Sequence, residues 1–180
     1  MVRAILEGRK TMTRRVVKPQ PGGLRAEFHH FDIIGQAVFT DGSYMKCPYG
    51  VPGDHLWVRE TFLDDGETKE RPQYVYRADN ENYPRHEGQN WKPSIFMPRA
   101  ASRILLDVTD VRVERLQDIK RSGAIAEGVG TLSDDFTNGV DFFADAVDAF
   151  SSLWQSINGL GSWDQNPWVW VVEFRKIEQE

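Results

Sequence analysis

The stretch that decides the fold is "WVWVVEFRKI" (residues 168–177), close to the end of the chain. Its first five positions are all apolar, and this pattern predicts a strand that is buried on both faces. Trp168 and Trp170 would share one face of the strand, and we expect both to belong to the core. A strand this apolar is expected at the centre of a sheet, with a partner on each side.

Four segments upstream are predicted to supply the other strands. "HLWVRETF" (residues 55–62) alternates apolar and polar side chains, and "GQAVFT" (35–40) and "YVYRA" (74–78) are shorter β-type runs. "ILLDVTDVRVERL" (104–116) is a long run rich in β-branched residues, which we expect to bend near Asp110. By contrast, "KPSIFMPRAASR" is bracketed by prolines and is predicted to be extended.

Three helices are predicted from apolar spacing and glycine stops. Residues 1–7 form a short helix that ends at Gly8, and "SGAIAEGV" (122–129) forms another that ends at Gly128. The clearest helix covers residues 141–159, where apolar side chains recur at spacings of three and four. The stripe consists of Phe143, Val147, Phe150, Trp154 and Ile157.

The order of these elements favours one α+β domain over residues 1–180. Five or six strands are joined by turn-rich loops without regular βαβ alternation, which indicates a small mixed or antiparallel barrel flanked by short helices. The region of about 63–100 is interpreted as an inserted loop region. The region of about 130–160 is interpreted as a helical addition that carries the amphipathic helix.

Composition limits the classes of function. The formal net charge is −5, so no general nucleic-acid-binding field is expected, yet seven Lys or Arg and one acid precede Glu27. Residues 122–174 contain eight acids and no Lys or Arg. Two interpretations remain open: a local basic face at the start of the chain, or mutual neutralisation of the two halves.

Single residues exclude other classes. The lone Cys47 rules out an intrachain disulfide and fits a reducing compartment, and we interpret it as a small semi-buried thiol and not as a nucleophile. The four histidines lack metal-ligand spacing, so no metal is expected. Neither a signal peptide nor a membrane-spanning run is visible, so a cytoplasmic protein with no membrane partner is expected.

The best candidate for chemistry is "EGRKTMTRR" near the start of the chain. Threonine becomes a nucleophile only when a neighbour takes its proton, and a lysine can do so when its pKa is depressed. Lys10 and Thr13 are three residues apart and would share one face of a helical turn. The neighbours that would lower the pKa of Lys10 are Arg9, Arg14 and Arg15. Chemistry alone favours a simpler alternative, a basic loop that holds phosphate.

A family resemblance changes this balance. "GRKTMTRR" resembles the G-x-K-x-x-x-x-R signature of the ASCH domain, a branch of the PUA-like superfamily, with Gly8, Lys10 and Arg15 at the matching positions. "PGDHLWVRE" and "WVWVVEF" are similar to strands of the same barrels, and the whole chain resembles phage- and prophage-encoded ASCH-like proteins. The resemblance implies a PUA-like β-barrel with a cleft beside the first helix, suited to RNA or a nucleobase.

One ASCH branch is similar to small amidohydrolases that remove the acetyl group from N4-acetylcytidine. That resemblance implies Lys10 as general base, Thr13 as nucleophile and Glu127 as proton relay, with Arg15 holding the signature loop or the substrate. No cofactor is implied, and the partner would be a nucleoside or RNA. The chain is longer than the compact hydrolases, so a non-catalytic RNA-binding module with a regulatory role and a ribonuclease stay open as alternatives.

Further residues are candidates for substrate binding beside this cleft. Glu60 is predicted on the apolar face of its strand, so it would pair with a base such as Arg15 or read an amino group of a ligand. Trp163 lies in a loop, where it would stack on a base or pack against the loop. The complete set of predicted binding residues is Gly8, Arg9, Arg14, Arg15, Arg59, Glu60, Tyr76 and Trp163.

Overall fold

The structure is a computed structural model, and it describes residues 1–21, 27–32, 35–66, 73–79, 82, 90–129 and 146–178. Its helices are α1 (Val2–Leu6), α2 (Arg121–Ala126) and α3 (Ala146–Asn158). Its strands are β1 (Met12–Val16), β2 (Phe28–Phe31), β3 (Gln36–Phe39), β4 (Tyr44–Lys46), β5 (His55–Trp57), β6 (Phe62–Asp64), β7 (Tyr74–Tyr76), β8 (Leu105–Arg115) and β9 (Trp168–Lys176). None of the described helices is long and apolar enough to cross a membrane.

The main sheet is antiparallel and has the order β1-β9-β8-β5. The prediction of a central, doubly buried last strand is confirmed, since β9 lies between β1 and β8. Trp168 and Trp170 belong to the core on one face of this sheet, as predicted. Val169 and Val171 lie on the other face, in a second core that includes α3.

A second antiparallel sheet, β2-β3-β4, covers the tryptophan face of the main sheet. The ring of Phe39 packs edge-on against Trp168 at 5.5 Å between centroids, and the ring of Phe31 lies 6.5 Å from Trp170. The register of β8 against β9 shifts between Val108 and Asp110, which confirms the predicted bend. The α+β class is confirmed as antiparallel sheets that form a curled half-barrel, with a few short helices.

Two predictions about the middle of the chain are wrong. Residues 55–62 do not form one strand, because β5 ends at Trp57 and the chain then leaves the main sheet to form the separate hairpin β6–β7. The segment 92–103 is not extended throughout: it contains two 3₁₀ turns, Ser94–Phe96 and Arg99–Ala101. A proline precedes each turn, where its fixed φ angle favours entry into a helical conformation.

The short helices occur where the sequence predicts them. Gly8 (φ +73°) and Gly128 (φ +80°) follow α1 and α2 in the left-handed conformation that glycine adopts without strain. The described part of the third helix agrees with its prediction, although Ile157 is 57% exposed and does not continue the buried stripe. Residues 141–145, with Phe143, and residues 130–140 of the predicted helical addition lie outside the described residues, as do 67–72 and 83–89 of the predicted loop insertion.

Candidate functional site

Lys10 and Thr13 lie on extended chain, so the prediction that they share a helical face is wrong. The helix α1 stops at Leu6, and β1 begins at Met12. Side chains alternate along a strand, and residues three apart therefore point to opposite faces. The register agrees, because Thr13 is paired with Val172, on the tryptophan face of the sheet.

Short backbone contacts hold Lys10 between two helices. The Lys10 N–H donates to the Ala4 carbonyl of α1 (2.8 Å), and the Thr11 N–H donates to the Ala126 carbonyl of α2 (2.9 Å). A β-bridge joins Lys10 to Glu127. At Gly128 a Cβ atom would come within 2.9 Å of the Lys10 Cβ, so the absence of a side chain there allows this close approach.

The Lys10 amine and the Glu127 carboxylate form a buried ion pair. Lys10 Nζ lies 2.6 Å from Glu127 Oε2, and it also donates to the carbonyls of Glu127 (2.9 Å) and Met12 (2.7 Å). The two side chains are only 3% and 5% exposed. Three acceptors therefore match the three N–H groups of a protonated amine.

Burial is the main influence on the pKa of Lys10. Desolvation lowers this pKa from its ordinary value of 10.5, and Glu127 opposes the shift, while Arg15 and Arg14 add smaller lowering effects. The predicted lowering of this pKa is confirmed, and of the two expected causes burial contributes more than the neighbouring arginines. The structure thus favours the neutral amine more than solvent would, and the nearby carboxylate limits this effect.

Arg14 extends the ion pair into a charged network. It is buried, and its guanidinium lies 3.3 Å from Glu127 Oε1 and 3.2 Å from Glu114 Oε2. Arg112 continues the network from Glu114 (2.5 Å) to Asp110 and Glu173. Sequence reasoning missed Glu114 and Arg112, although alternate charged residues in the C-terminal half of β8 were a usable signal of one polar face.

A cleft of about 230 Å³ lies beside the ion pair, and this volume is slightly below the usual range of ligand-binding cavities. One wall comes from the Lys10 region and β1, and the other comes from α3. Consecutive residues of β1 line the cleft, although their side chains point alternately to the two faces of the sheet. The cleft therefore runs along the free edge of β1, which is accessible from both faces. The lining residues are Met1, Lys10, Thr13, Arg14, Arg15, Val16, Glu127, Gly128, Phe150, Leu153, Trp154, Ile157 and Asn158.

The backbone of β1 contributes hydrogen-bonding groups to this cleft. Phe174 N–H donates to the Thr11 carbonyl and Val17 N–H donates to the Trp168 carbonyl. In an antiparallel ladder this pattern directs the N–H and C=O groups of Arg14 and Val16 away from β9, towards the free edge. No hydrogen bond from another described residue reaches these outward groups.

Two buried side-chain donors also lie in the cleft wall. Arg14 Nε and Trp154 Nε1 have no hydrogen-bond partner among the residues that the structure describes. Unpaired donors of this kind are costly, and they commonly mark a position where water or a ligand supplies the acceptor.

Glu60 belongs to a different cluster, with Arg103 as its partner and not Arg15. The Arg103 guanidinium makes two 2.9 Å hydrogen bonds to the Glu60 carboxylate, which is 1% exposed, and it also binds Asp79. Tyr76 lies under that guanidinium, 4.0 Å from ring centre to Cζ, and donates its hydroxyl hydrogen to the Ala101 carbonyl. None of these residues lines the cleft described above.

The remaining predicted binding residues divide between the cleft and its surroundings. Arg15 lines the cleft and is exposed. Arg9 is exposed and bonded to Glu7, while neither it nor Gly8 lines the cleft. Trp163 packs edge-on against Phe150 at 6.2 Å, which favours loop packing over base stacking.

No protein-family model matches the chain, and no curated protein or solved structure shows significant similarity to it. The resemblance to ASCH domains therefore rests on the residues quoted above. Within the described part of the chain, no group of three or more His, Cys, Asp or Glu side chains is arranged to hold a metal ion.

Proposed function

We propose that this chain is an ASCH-like protein with a PUA-like half-barrel, and that its cleft binds a nucleoside and hydrolyses an amide on the base, as in N4-acetylcytidine. The observation that carries the proposal is the buried pair of Lys10 and Glu127 in the wall of a small, partly aromatic cleft. A buried amine with a lowered pKa and an adjacent carboxylate is a combination suited to proton transfer.

The walls of the cleft support a planar heterocyclic ligand. Phe150 and Trp154 offer apolar and aromatic surface on the α3 side. The outward backbone groups of Arg14 and Val16 offer donors and acceptors on the β1 side. A base would lie with a face towards α3 and an edge towards β1, because its faces are apolar and its edge carries the hydrogen-bonding groups.

The chemistry proposed for this site starts from the neutral form of Lys10, whose third proton has passed to solvent. A neutral amine has two N–H groups for the three acceptors that now surround Nζ, so one contact is given up. The contact to the Met12 carbonyl is the one beside Thr13. Thr13 lines the same cleft from the opposite face of β1, so the lone pair takes the hydroxyl proton through a water that bridges the two side chains.

The Thr13 oxygen then attacks the amide carbonyl carbon and forms an acyl-threonine ester. The C–N bond breaks, and the proton held by Lys10 passes to the departing amino nitrogen of the base, with Glu127 relaying protons to and from the amine. Water, deprotonated by the same pair, hydrolyses the ester and releases acetate. The reaction uses water as its only co-reactant and returns both side chains to their starting protonation states.

Incubation of the folded protein with N4-acetylcytidine tests the proposal. We expect cytidine and acetate in equal amounts, and product formation about a thousandfold slower with the Lys10→Met variant. A parallel incubation with labelled RNA distinguishes the alternatives. Cleavage of the RNA, or binding of RNA without deacetylation of the nucleoside, would replace the amidohydrolase proposal with a ribonuclease or an RNA-binding module.

A further inference from the structure

A second surface, distant in sequence from the cleft residues, gathers cations around exposed apolar side chains. The guanidinium carbon of Arg59 lies 4.8 Å from the centre of the Trp57 ring, and that of Arg99 lies 5.6 Å from the same ring. Lys92 Nζ lies 5.7 Å from the centre of the Phe62 ring. We call this the Trp57 surface, and it consists of Trp57, Arg59, Lys92, Ile95, Phe96 and Arg99.

The cations of the Trp57 surface differ from the arginines of the two charged clusters described above. Neither Arg59, Arg99 nor Lys92 forms a salt bridge with any residue that the structure describes, and all three are exposed. Arg103 and Arg112, by contrast, each bind more than one carboxylate. In a protein of net charge −5, two arginines over one ring, without a salt-bridge partner among the described residues, provide a local site for an anion.

Aromatic contact also orients these cations in advance. A guanidinium that rests on an indole ring loses part of its freedom before any ligand arrives, so less entropy is lost on binding. Arg59 is held further by a hydrogen bond from Nη1 to the Ile95 carbonyl (3.4 Å). That contact fixes the arginine next to the 3₁₀ turn Ser94–Phe96.

The same turn exposes two large apolar side chains. Ile95 is 68% exposed and Phe96 is 69% exposed, and Pro93 and Pro98 flank the turn. An exposed aromatic ring beside unpaired arginines has the chemistry of a single-stranded nucleic-acid site, in which cations bind phosphates and rings stack on bases. An acidic peptide would use the cations but would have less need of an exposed aromatic ring.

We infer that the Trp57 surface binds single-stranded RNA, with Arg59 and Arg99 on phosphates and Phe96 stacked on a base. The choice of RNA rests on the proposed function, since the cleft would then take a ribonucleoside that belongs to a strand. The surface thereby adds affinity for the polymer that the small cleft alone does not provide.

Fluorescence anisotropy with a labelled single-stranded RNA of about twelve nucleotides tests this inference, since such a length exceeds one small binding site. The variant Arg59→Gln/Arg99→Gln is expected to bind at least about tenfold more weakly. Loss of two phosphate contacts, at about 0.7 each for a single strand, should lower the slope of log affinity against log salt by about 1.4. Phe96→Ala is expected to weaken binding by about tenfold while leaving that slope unchanged.

Lys46→Gln/Arg175→Gln is the matched control, because it removes the same charge from exposed cations outside this surface. Its affinity for RNA should be within about twofold of that of the unaltered protein. The measurement should use a salt concentration at which Arg59→Gln/Arg99→Gln binds at least about tenfold more weakly. Three outcomes would each overturn the inference. They are an equal loss of affinity in both double variants, an unchanged affinity in Arg59→Gln/Arg99→Gln, and no binding of RNA by the unaltered protein at low salt. Arg59 was predicted to bind substrate, but neither it nor Phe96 or Arg99 lines the cleft. Hydrolysis of free N4-acetylcytidine also needs no phosphate contact, so it should be equal in all four proteins and reports separately on the cleft.

Discussion

Two buried carboxylates of this protein, Glu127 and Glu60, are each paired with a cation, yet their surroundings differ. Glu127 binds a lysine whose amine can lose its proton, and the pair lines a cleft. Glu60 binds Arg103 through two parallel hydrogen bonds, and neither residue lines that cleft. Arginine keeps its charge at any pH that a protein survives, so the second pair cannot transfer protons.

The comparison shows that burial and charge alone do not separate a candidate catalytic carboxylate from a structural one. Both glutamates are nearly inaccessible, at 7% and 1% exposure. What separates them is the identity of the partner and the presence of space for a ligand. We therefore expect variants of the two clusters to change different properties: activity for the Lys10 cluster and stability for the Glu60 cluster.

The largest expected effect is on turnover in the Lys10 cluster. Lys10→Met should reduce kcat/KM for N4-acetylcytidine by about a thousandfold, because a positioned general base contributes roughly 10²–10⁴. Lys10→Arg should be as inactive, since it keeps the charge but cannot accept a proton. Retained activity in Lys10→Arg would mean that charge alone is needed, which would make this cluster equivalent to that of Glu60.

Removal of the Thr13 hydroxyl is expected to have a comparable or slightly smaller effect. Thr13→Val should lose about a hundredfold to a thousandfold in kcat, since water in the same cleft can partly replace the hydroxyl. Thr13→Ser is the matched control and should remain active. The double variant with Lys10→Met should be little worse than Lys10→Met alone, because base and nucleophile act as one unit. Near-normal kinetics of a folded Thr13→Val protein would assign the attack to water.

The Glu60 cluster should respond mainly in stability. Glu60→Gln should lower the free energy of unfolding by about 3 kcal/mol, measured by urea denaturation, because it leaves Arg103 partly buried without its main partner. Asp79→Asn removes the half-exposed partner of the same arginine and should cost less than about 1 kcal/mol. The kcat/KM of the folded fraction should be unchanged in both, and a large loss of activity would place Glu60 in the catalytic machinery.

The smallest expected effect is a dependence of stability on pH that only the Lys10 cluster shows. The pKa of Lys10 is lowered by burial in the folded state, so between that lowered pKa and 10.5 the unfolded chain binds more protons. Stability attributable to Lys10 should therefore rise with pH across this window. The gain should be absent from Lys10→Met and present in Arg103→Lys, as measured by urea denaturation at several alkaline pH values. Parallel pH profiles for the unaltered protein and Lys10→Met would contradict the lowered pKa.

Several parts of the site could be predicted from local sequence. The stop of α1 at glycine, the short helix before Gly128 and the apolar last strand all follow from patterns within ten residues. The placement of Glu127 beside Lys10 was expected from the family resemblance, and the two residues are indeed in contact. Their catalytic roles remain a prediction.

Other parts depended on contacts between residues far apart in the chain. Glu60 was expected on a continuous strand, but its partner Arg103 lies 43 residues away, and the strand ends where the chain turns to form that pair. Arg14 was predicted to bind substrate and it does line the cleft, but the two carboxylates that pair with it, from β8 and from the end of α2, were not predicted as its partners. Periodicity indicates which side chains are buried, but it does not identify their partners.

The sequence by itself determined the α+β class, the central position of β9 and the bend in β8, because apolar alternation and glycine positions act over short distances. Only the tertiary structure decided that Thr13 lies on an edge strand and Lys10 in a bridge to Glu127 just before it. It also decided that burial lowers the pKa of Lys10 more than the neighbouring arginines do, and that the two buried glutamates have different partners. The physical reason is that desolvation and ion pairing depend on which distant segments come together. That arrangement is set by packing of the whole half-barrel.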